Sequence, residues 1–178
     1  NEKTKLENYK NKVAITQDGY QVEVSSNIGK TADLEDVLKF RADGIGLFRT
    51  EFLFMDSKQM PTEEQQFESY KKIAENMKEK LSIIRTLDAG GDKNIPYLNL
   101  EKEDNPFLGY RAIRLCLGNP DIFKVQLRAI LRASNYGNLA IMFPMISTID
   151  ELRDSKKILE ECKKELDEQN IKYNKGEY

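Results

Sequence analysis

Two short apolar runs in this chain end on the same pair of residues, and this repeat constrains the fold more than any other feature. One run leads into Arg49-Thr50 (GIGLFRTE) and the other into Arg85-Thr86 (LSIIRTLD). Short apolar runs of this kind are typical of buried parallel strands. An arginine at the carboxyl end of such a strand lies where barrel and open α/β enzymes place their active sites. The repeat therefore predicts a parallel sheet with Arg49 and Arg85 at one edge.

Strand-like and helix-like segments alternate along the chain. Strands are predicted at residues 21–25, 45–48, 81–84 and 139–143, and helices are predicted to begin near Thr31, Thr62, Pro120 and Thr148. This order is typical of a parallel sheet with helices packed outside it. The chain has 178 residues, whereas a whole eight-fold barrel takes about 250. We therefore predict an α/β fold, either a small open sheet or half of a TIM (β/α)8 barrel with about four βα units.

The domain boundaries follow from the same pattern. Residues 1–16 are charged and weakly patterned, and they are predicted to be a linker or the end of a preceding helix. Residues 17–178 are predicted to be the N-terminal half of the barrel domain. The chain opens Asn1-Glu2-Lys3-Thr4 with no signal peptide, so we expect it to be cut from a longer protein.

Composition excludes several classes of function. The net charge is −2 and no long basic stripe is present, which argues against nucleic acid as a partner. No apolar run approaches the roughly 18 residues that a membrane span needs. The chain has no histidine, so it holds no histidine base, histidine metal ligand or phosphohistidine. Cys116 and Cys162 are predicted to be buried free thiols of a reducing compartment, hence the cytoplasm.

The segment after the third predicted strand adds two cations to the same edge. It runs from residue 88 to residue 118, and loops this long inside compact domains are usually functional or disordered. Lys93 and Arg111 lie in it, and Gly90-Gly91 permits close backbone approach to a ligand. Four cations on one rim repel one another unless carboxylates or an anion offset them. The excess predicts an anionic substrate, since guanidinium groups present planar forks of donors to phosphate or carboxylate.

A purely structural interpretation competes with this one. Arg49 could pair with Glu51, and Arg85 with Asp88, as salt bridges on a barrel rim, because structural ion pairs are common at the ends of elements. Asp88, Glu51 and Asp92 would offset part of the positive charge in either case.

The sequence resembles the enzyme I family of the bacterial phosphotransferase system, the phosphoenolpyruvate–protein phosphotransferases, from about Val13 to the C-terminus. The resemblance rests on long motifs in a fixed order: GIGLFRTEFLFMD (44–56), PTEEQ (61–65), RTLDAGGDK (85–93), NPFLGYRAIR (105–114), QLRAILRAS (126–134) and IMFPMI (141–146).

The resemblance implies a TIM barrel domain that binds phosphoenolpyruvate and Mg²⁺ and that dimerises. The family passes the phosphoryl group to a histidine on a separate N-terminal domain and then to the carrier protein HPr, for sugar uptake. Arg49 and Arg85 match the family's phosphoenolpyruvate-binding arginines, and Arg111 and Lys93 match further basic residues of that pocket. Such a site suits phosphoryl transfer, which needs positioning and charge stabilisation more than covalent chemistry.

Three parts of the family's machinery have no counterpart in this chain. The metal-ligating acids and the catalytic cysteine of the family lie beyond the region matched, and the phosphorylated histidine belongs to the N-terminal half. The resemblance therefore implies that this chain has no metal site and no catalytic residue of its own, that neither Cys116 nor Cys162 is the catalytic cysteine, and that the chain alone is inactive. The alternative is a non-catalytic half-barrel module that only binds an anion or associates with itself.

Overall fold

The computed structural model describes residues 9–90, 95–98, 100 and 103–176. Its centre is a four-stranded parallel sheet in the order β3-β4-β5-β6, so each strand pairs with the next one along the chain. A separate antiparallel hairpin, β1-β2, precedes the sheet. The strands are β1 Ala14–Ile15, β2 Gln21–Val22, β3 Ser26–Ile28, β4 Ile45–Arg49, β5 Ser82–Arg85 and β6 Leu139–Met142.

Helices follow each strand of the sheet. They are α1 Leu34–Lys39, α2 Glu51–Met55, α3 Glu63–Met77, α4 Ile113–Gly118, α5 Pro120–Ala133 and α6 Ile149–Glu168, with 3₁₀ turns at Thr31–Asp33, Pro96–Leu98 and Ser134–Tyr136. Four βα units with parallel strands confirm the predicted α/β class and fit half of a TIM barrel. The sheet formed by the described residues is open, so no barrel closes within them.

Local sequence explains where the long helices begin. Thr62 accepts a hydrogen bond from the backbone N–H of Gln65, whose side chain accepts one from the backbone of Thr62 in return. Thr148 and Glu151 form the same capping box at the start of α6. These reciprocal bonds satisfy backbone donors that a helix start otherwise leaves without partners. Pro120 begins α5 at the first helical position, as predicted.

Two apolar clusters hold the sheet and helices together. The first lies between the sheet and the helices α1, α3 and α5, with Ile45, Phe48 and Ile84 inaccessible or nearly so. The second packs α4, α5 and α6 against the chain after β5, around Phe123 and Leu127. Together these clusters hold the strand ends in fixed positions, because close-packed interiors have low compressibility.

The first strand of the sheet is not where the sequence pattern placed it. Residues 21–25 were predicted as that strand, but Gln21–Val22 pairs back on Ala14–Ile15 and only Ser26–Ile28 joins the sheet beside β4. Thr31, predicted to cap the following helix, lies inside a 3₁₀ turn, and Asp33 precedes α1 instead. The alternation in residues 21–25 begins in an exposed hairpin strand, Gln21–Val22, which has the same period as a half-buried strand, and residues 23–25 lead from it to β3.

No helix within the described ranges is long and apolar enough to cross a membrane. The segment after β5 contains a 3₁₀ turn and the short helix α4. Lys93 and Asp92, predicted to lie near the strand ends, fall outside the described residues.

Candidate anion-binding site

Arg49 and Arg85 occupy paired positions on neighbouring parallel strands. The Cα of Arg49 is the register partner of Arg85, and Arg85 is in turn the partner of Met142 on β6. Because the strands are parallel, these residues lie at the same edge of the sheet, at the carboxyl ends. The structure therefore places the backbones of the two arginines side by side at one edge of the sheet, and one anion site shared by their side chains stays a prediction.

Arg85 is held by two carboxylates. Its Nη2 lies 2.5 Å from Oε1 of Glu51, and its Nη1 lies 3.2 Å from Oδ2 of Asp88. The Arg85 side chain is 16% exposed, and those of Glu51 and Asp88 are exposed by 5% and 11%. Ion pairs this far from solvent are screened little by salt and strongly restrict the geometry of both partners.

Arg111 joins the same group through Asp88. Its Nη2 and Nε lie 2.8 Å and 3.2 Å from Oδ1 of Asp88, so this carboxylate bridges two guanidinium groups. Arg85, Arg111, Glu51 and Asp88, which we call the rim cluster, carry two formal charges of each sign. Among the described residues nothing accepts a hydrogen bond from the buried Nε of Arg85, which leaves a donor that a ligand oxygen can satisfy.

The sequence left open that both arginines form salt bridges with their own neighbours, and the structure confirms this for Arg85 but not for Arg49. Arg85 does pair with Asp88, but Glu51 pairs with Arg85 and not with its own neighbour Arg49. Arg49 is exposed, and within the described part of the chain no carboxylate lies at ion-pair distance from it. Its guanidinium carbon lies 4.8 Å from the ring centroid of Phe52. A cation stacked on an aromatic face keeps its donors available to a ligand.

Phe52 packs against a glycine, Gly29, which directly follows β3. A β-carbon at Gly29 would lie 2.7 Å from Cδ2 of Phe52, so only glycine admits the ring there. The backbone N–H groups of Gly29 and Lys30 donate hydrogen bonds of 3.0 Å to Asp33. These bonds lower the pKa of the Asp33 carboxyl, with smaller contributions from the charges of Lys30 and Arg49. The loop after β3 thus supports the Phe52 ring, on which the Arg49 guanidinium stacks.

The threonines of the two motifs connect each strand to the next. The Thr50 hydroxyl donates a 2.7 Å hydrogen bond to the carbonyl oxygen of Arg85. The Thr86 hydroxyl lies 3.4 Å from the carbonyl oxygen of Met142, which also accepts from the Thr86 backbone N–H at 2.9 Å. The repeated Arg-Thr pair therefore combines a cation with a link to the neighbouring strand.

Gln126, which contacts the residues that follow both arginines, was not identified from the sequence. Gln126 lies on α5 and is almost fully buried. Its Nε2 donates to Thr50 Oγ1 at 3.2 Å and to the Tyr70 hydroxyl at 3.1 Å, and its Oε1 accepts from the Leu87 backbone N–H at 2.8 Å. The available signal was a polar residue next to Phe123, Leu127 and Ile130 on the apolar face of a helix, where buried amides need partners.

The cysteines are the buried free thiols that the sequence predicts. Burial raises the pKa of Cys116 to about 12, and the nearby charge of Asp88 adds to this shift. Burial likewise raises the pKa of Cys162 to about 12. Since the thiolate is the reactive form, neither thiol is activated at neutral pH.

The rim cluster does not fit a metal ion. Its two carboxylates contact guanidinium groups, whereas a divalent cation needs several oxygens free to coordinate it. Nor do the described ranges contain any group of three or more His, Cys, Asp or Glu side chains that could hold one. The arrangement is suited to an anion with at least two oxygens, bound between an exposed and a fixed guanidinium.

The structure defines an α/β domain with a four-stranded parallel sheet and arginines at the carboxyl ends of two neighbouring strands, and comparison with known proteins identifies its family. Residues 3–177 match the family described as PEP-utilising enzyme, PEP-binding domain. The chain belongs to that family.

Several similar proteins carry the name phosphoenolpyruvate-protein phosphotransferase. The chain is 58% identical to the one from Staphylococcus carnosus over 160 residues, 90% of this chain and 28% of that protein. It is 54% identical to the one from Mycoplasma capricolum over 171 residues, 96% of this chain and 30% of that protein. It is 54% identical to the one from Bacillus subtilis over 156 residues, which are 88% of this chain and 27% of that protein. The chain therefore spans less than a third of the length of these relatives.

Proposed function

We propose that this chain is the phosphoenolpyruvate-binding part of a phosphoenolpyruvate–protein phosphotransferase. The observation that carries the proposal is the register pairing of Arg49 with Arg85 at the carboxyl edge of the sheet. The rim cluster is formally neutral, so Arg49 supplies the positive charge that attracts an anion to this edge. Phosphoenolpyruvate presents a phosphate and a carboxylate on a small rigid frame, and both groups suit guanidinium forks.

In the proposed reaction the chain's own residues bind and orient. Arg85 is fixed by Glu51 and Asp88, and it offers its buried Nε to a substrate oxygen. Arg49 closes on the phosphate from the exposed side, and Arg111 holds Asp88 in place. Lys93 is proposed to contribute a further positive charge. Phosphoryl transfer gains most from such prearranged charge, because its transition state spreads negative charge over several oxygens.

The remaining parts of the activity are proposed to lie outside this chain. They comprise Mg²⁺ and its ligands, the acid that protonates the enolate, and a histidine that accepts the phosphoryl group and passes it to HPr in sugar uptake. We further propose that residues 17–178 form the first half of the substrate barrel after a linker at 1–16, and that the complete protein works as a homodimer in the cytoplasm. With no histidine in its sequence, the chain alone is proposed to be inactive and to bind phosphoenolpyruvate weakly.

Pyruvate release tests the proposal. The full gene product that contains this chain is incubated with phosphoenolpyruvate, Mg²⁺ and HPr, beside the 178-residue chain alone and an Arg85→Ala variant of the full product. We expect pyruvate from the full product, much less from the variant and none from the chain alone. A full gene product that releases no pyruvate contradicts the proposed activity. Pyruvate release by the 178-residue chain alone contradicts the proposal that the metal ligands, the acid and the histidine lie outside it.

A further inference from the structure

We infer that Gln126 is a positioning residue that holds the two arginine-bearing strand ends in one geometry, an inference that rests on the proposed function. Among the described residues, the hydrogen bonds of the Gln126 side chain go to Thr50, Tyr70 and Leu87 and to neither arginine side chain. Gln126 acts through the residues that follow the arginines in each motif, Thr50 after Arg49 and Leu87 two residues after Arg85.

The contacts of Gln126 span both motifs. Its amide nitrogen donates to Thr50 Oγ1 at 3.2 Å, and the Thr50 hydroxyl donates onward to the Arg85 carbonyl at 2.7 Å. Its amide oxygen accepts from the Leu87 N–H at 2.8 Å. One side chain from an outer helix therefore binds the end of β4 and the backbone just past β5.

Gln126 is itself fixed from the side away from the site. Its Nε2 donates to the Tyr70 hydroxyl, which donates to Gln66 Oε1 at 3.1 Å, and Gln66 Nε2 donates to the Pro61 carbonyl at 3.0 Å. Gln66, Tyr70 and Gln126 are all buried. Such a chain in a low-dielectric interior is rigid, because each broken bond would leave a buried polar group without a partner.

The consequence concerns the distance between the two guanidinium groups. Arg85 is fixed through its side chain by carboxylates, but Arg49 is exposed and depends on its backbone position for its placement. Without Gln126 the Thr50 hydroxyl loses its donor and the Leu87 N–H loses its acceptor, so β4 and β5 can shift relative to each other. A misplacement of about 1 Å in a substrate-orienting group can cost about a hundredfold in rate.

The test compares two deletions in the same buried chain, made in the full gene product. Gln126→Met keeps the length of the side chain and removes its hydrogen bonds to both strand ends. Tyr70→Phe removes a hydroxyl from the same network but leaves Gln126 in contact with Thr50 and Leu87. Both lose buried hydrogen bonds, so both are expected to lower the midpoint of thermal unfolding.

Steady-state kinetics separate positioning from stability, at a temperature where circular dichroism shows every variant folded. We expect Gln126→Met to lower kcat/KM for phosphoenolpyruvate by about tenfold to a hundredfold. Tyr70→Phe should lower kcat/KM by much less, because Gln126 keeps its hydrogen bonds to Thr50 and Leu87. Equal kcat/KM values for the two variants would overturn the inference. An unchanged protein that does not consume phosphoenolpyruvate would overturn the proposed function itself, and the inference with it.

A second pair covers the case in which Gln126→Met does not fold. Thr50→Val removes the hydroxyl that joins Gln126 to the Arg85 carbonyl, and Thr50→Ser retains that hydroxyl. Positioning predicts that kcat/KM falls in the valine variant and returns toward the original value in the serine variant. Equal losses in both, or a loss in neither, contradict the role assigned to Gln126.

Discussion

The two Arg-Thr strand ends share a sequence, a register position and an edge of the sheet, yet their arginines have opposite environments. Arg85 is 16% exposed and lies between Glu51 and Asp88. Arg49 is exposed and contacts the ring of Phe52. Backbone position thus places both residues at one edge of the sheet, whereas residues from other segments decide which guanidinium is held by carboxylates and which is exposed. The comparison teaches that a repeated motif sets the backbone position of a residue but not the environment of its side chain.

The largest effect is expected from removing the fixed arginine. Arg85→Ala takes away the guanidinium that contacts both Glu51 and Asp88, and breaking a mostly buried ion pair in this way costs about 3 kcal/mol. We expect both a lower free energy of unfolding, measured by urea denaturation, and lost affinity for phosphoenolpyruvate. Arg153→Ala serves as control, since Arg153 pairs with Asp150 at the surface of α6 with a side chain that is 70% exposed. Equal destabilisation by the two variants would mean that the rim cluster is no more stabilising than a surface pair.

The exposed arginine should separate binding from stability. Arg49→Ala loses a cation–π contact worth under about 1 kcal/mol, so its unfolding curve should nearly match that of the unchanged protein. Its affinity for phosphoenolpyruvate should fall by about tenfold to a hundredfold, because a hydrogen bond to a charged group contributes about 1.5–3 kcal/mol. Calorimetric titration of the full gene product measures this loss. Unaltered affinity would remove Arg49 from the site.

A smaller effect is expected from changing Gly29, which packs against the Phe52 ring beside Arg49. In Gly29→Ala the new methyl group would lie 2.7 Å from the Phe52 ring, so the ring must move and Arg49 loses its stacking surface. We expect a destabilisation of about 1–2 kcal/mol and a loss of affinity below that of Arg49→Ala.

Gly46→Ala is the matched control on the neighbouring strand. There the closest atom to the added methyl is Ser25 Cβ at 3.2 Å, away from Phe52. A Gly46→Ala variant that lowers the affinity as much as Gly29→Ala would show that the loss comes from general strain in the sheet.

The smallest effect concerns ion pairs far from the strand ends. Glu165 on α6 accepts from Lys124 and Arg128 on α5, and these bonds, the Lys124 bond first, lower the pKa of the Glu165 carboxyl. The ionised form is thus favoured in the folded state. Its stabilisation is present above the ordinary glutamate pKa, near 4.3, and is lost as pH falls through the lowered value.

Glu165→Gln should therefore reduce the free energy of unfolding by about 0.5–1 kcal/mol at pH 7 and by less at pH 3. Urea denaturation at the two pH values measures the difference, with Glu168→Gln at the end of the same helix as control. A loss as large as that of Arg85→Ala would erase the contrast between the rim cluster and the outer surface.

The parts of the fold that the sequence predicts are those with local signals. Capping boxes at Thr62 and Thr148, and the apolar runs that end at Arg49 and Arg85, each lie within a few neighbouring residues. Ser26–Ile28 has no such pattern, since it is a strand only because β4 pairs with it. Its place in the sheet depends on tertiary contacts, which propensity does not record.

The positions of the residues in the candidate site could be predicted to the same extent. The repeat indicates where Arg49 and Arg85 lie, and the long loop indicates Arg111. Gln126 was not predictable, because its partners Leu87 and Thr50 lie 39 and 76 positions away in the sequence. The ion pair of Glu51 with Arg85 was not predictable either. Glu51 lies two residues from Arg49 and 34 from Arg85, so the local sequence favours a pair with Arg49.

The central claim is that one anion is bound jointly by the exposed and the fixed arginine. Nuclear magnetic resonance of arginine Nε–H groups tests it most directly, with phosphoenolpyruvate titrated into the full gene product. The account predicts that the Arg49 and Arg85 resonances shift together with a single Kd, while that of Arg153 stays in place. Shifts confined to one of the two arginines, or shared equally with Arg153, would contradict it.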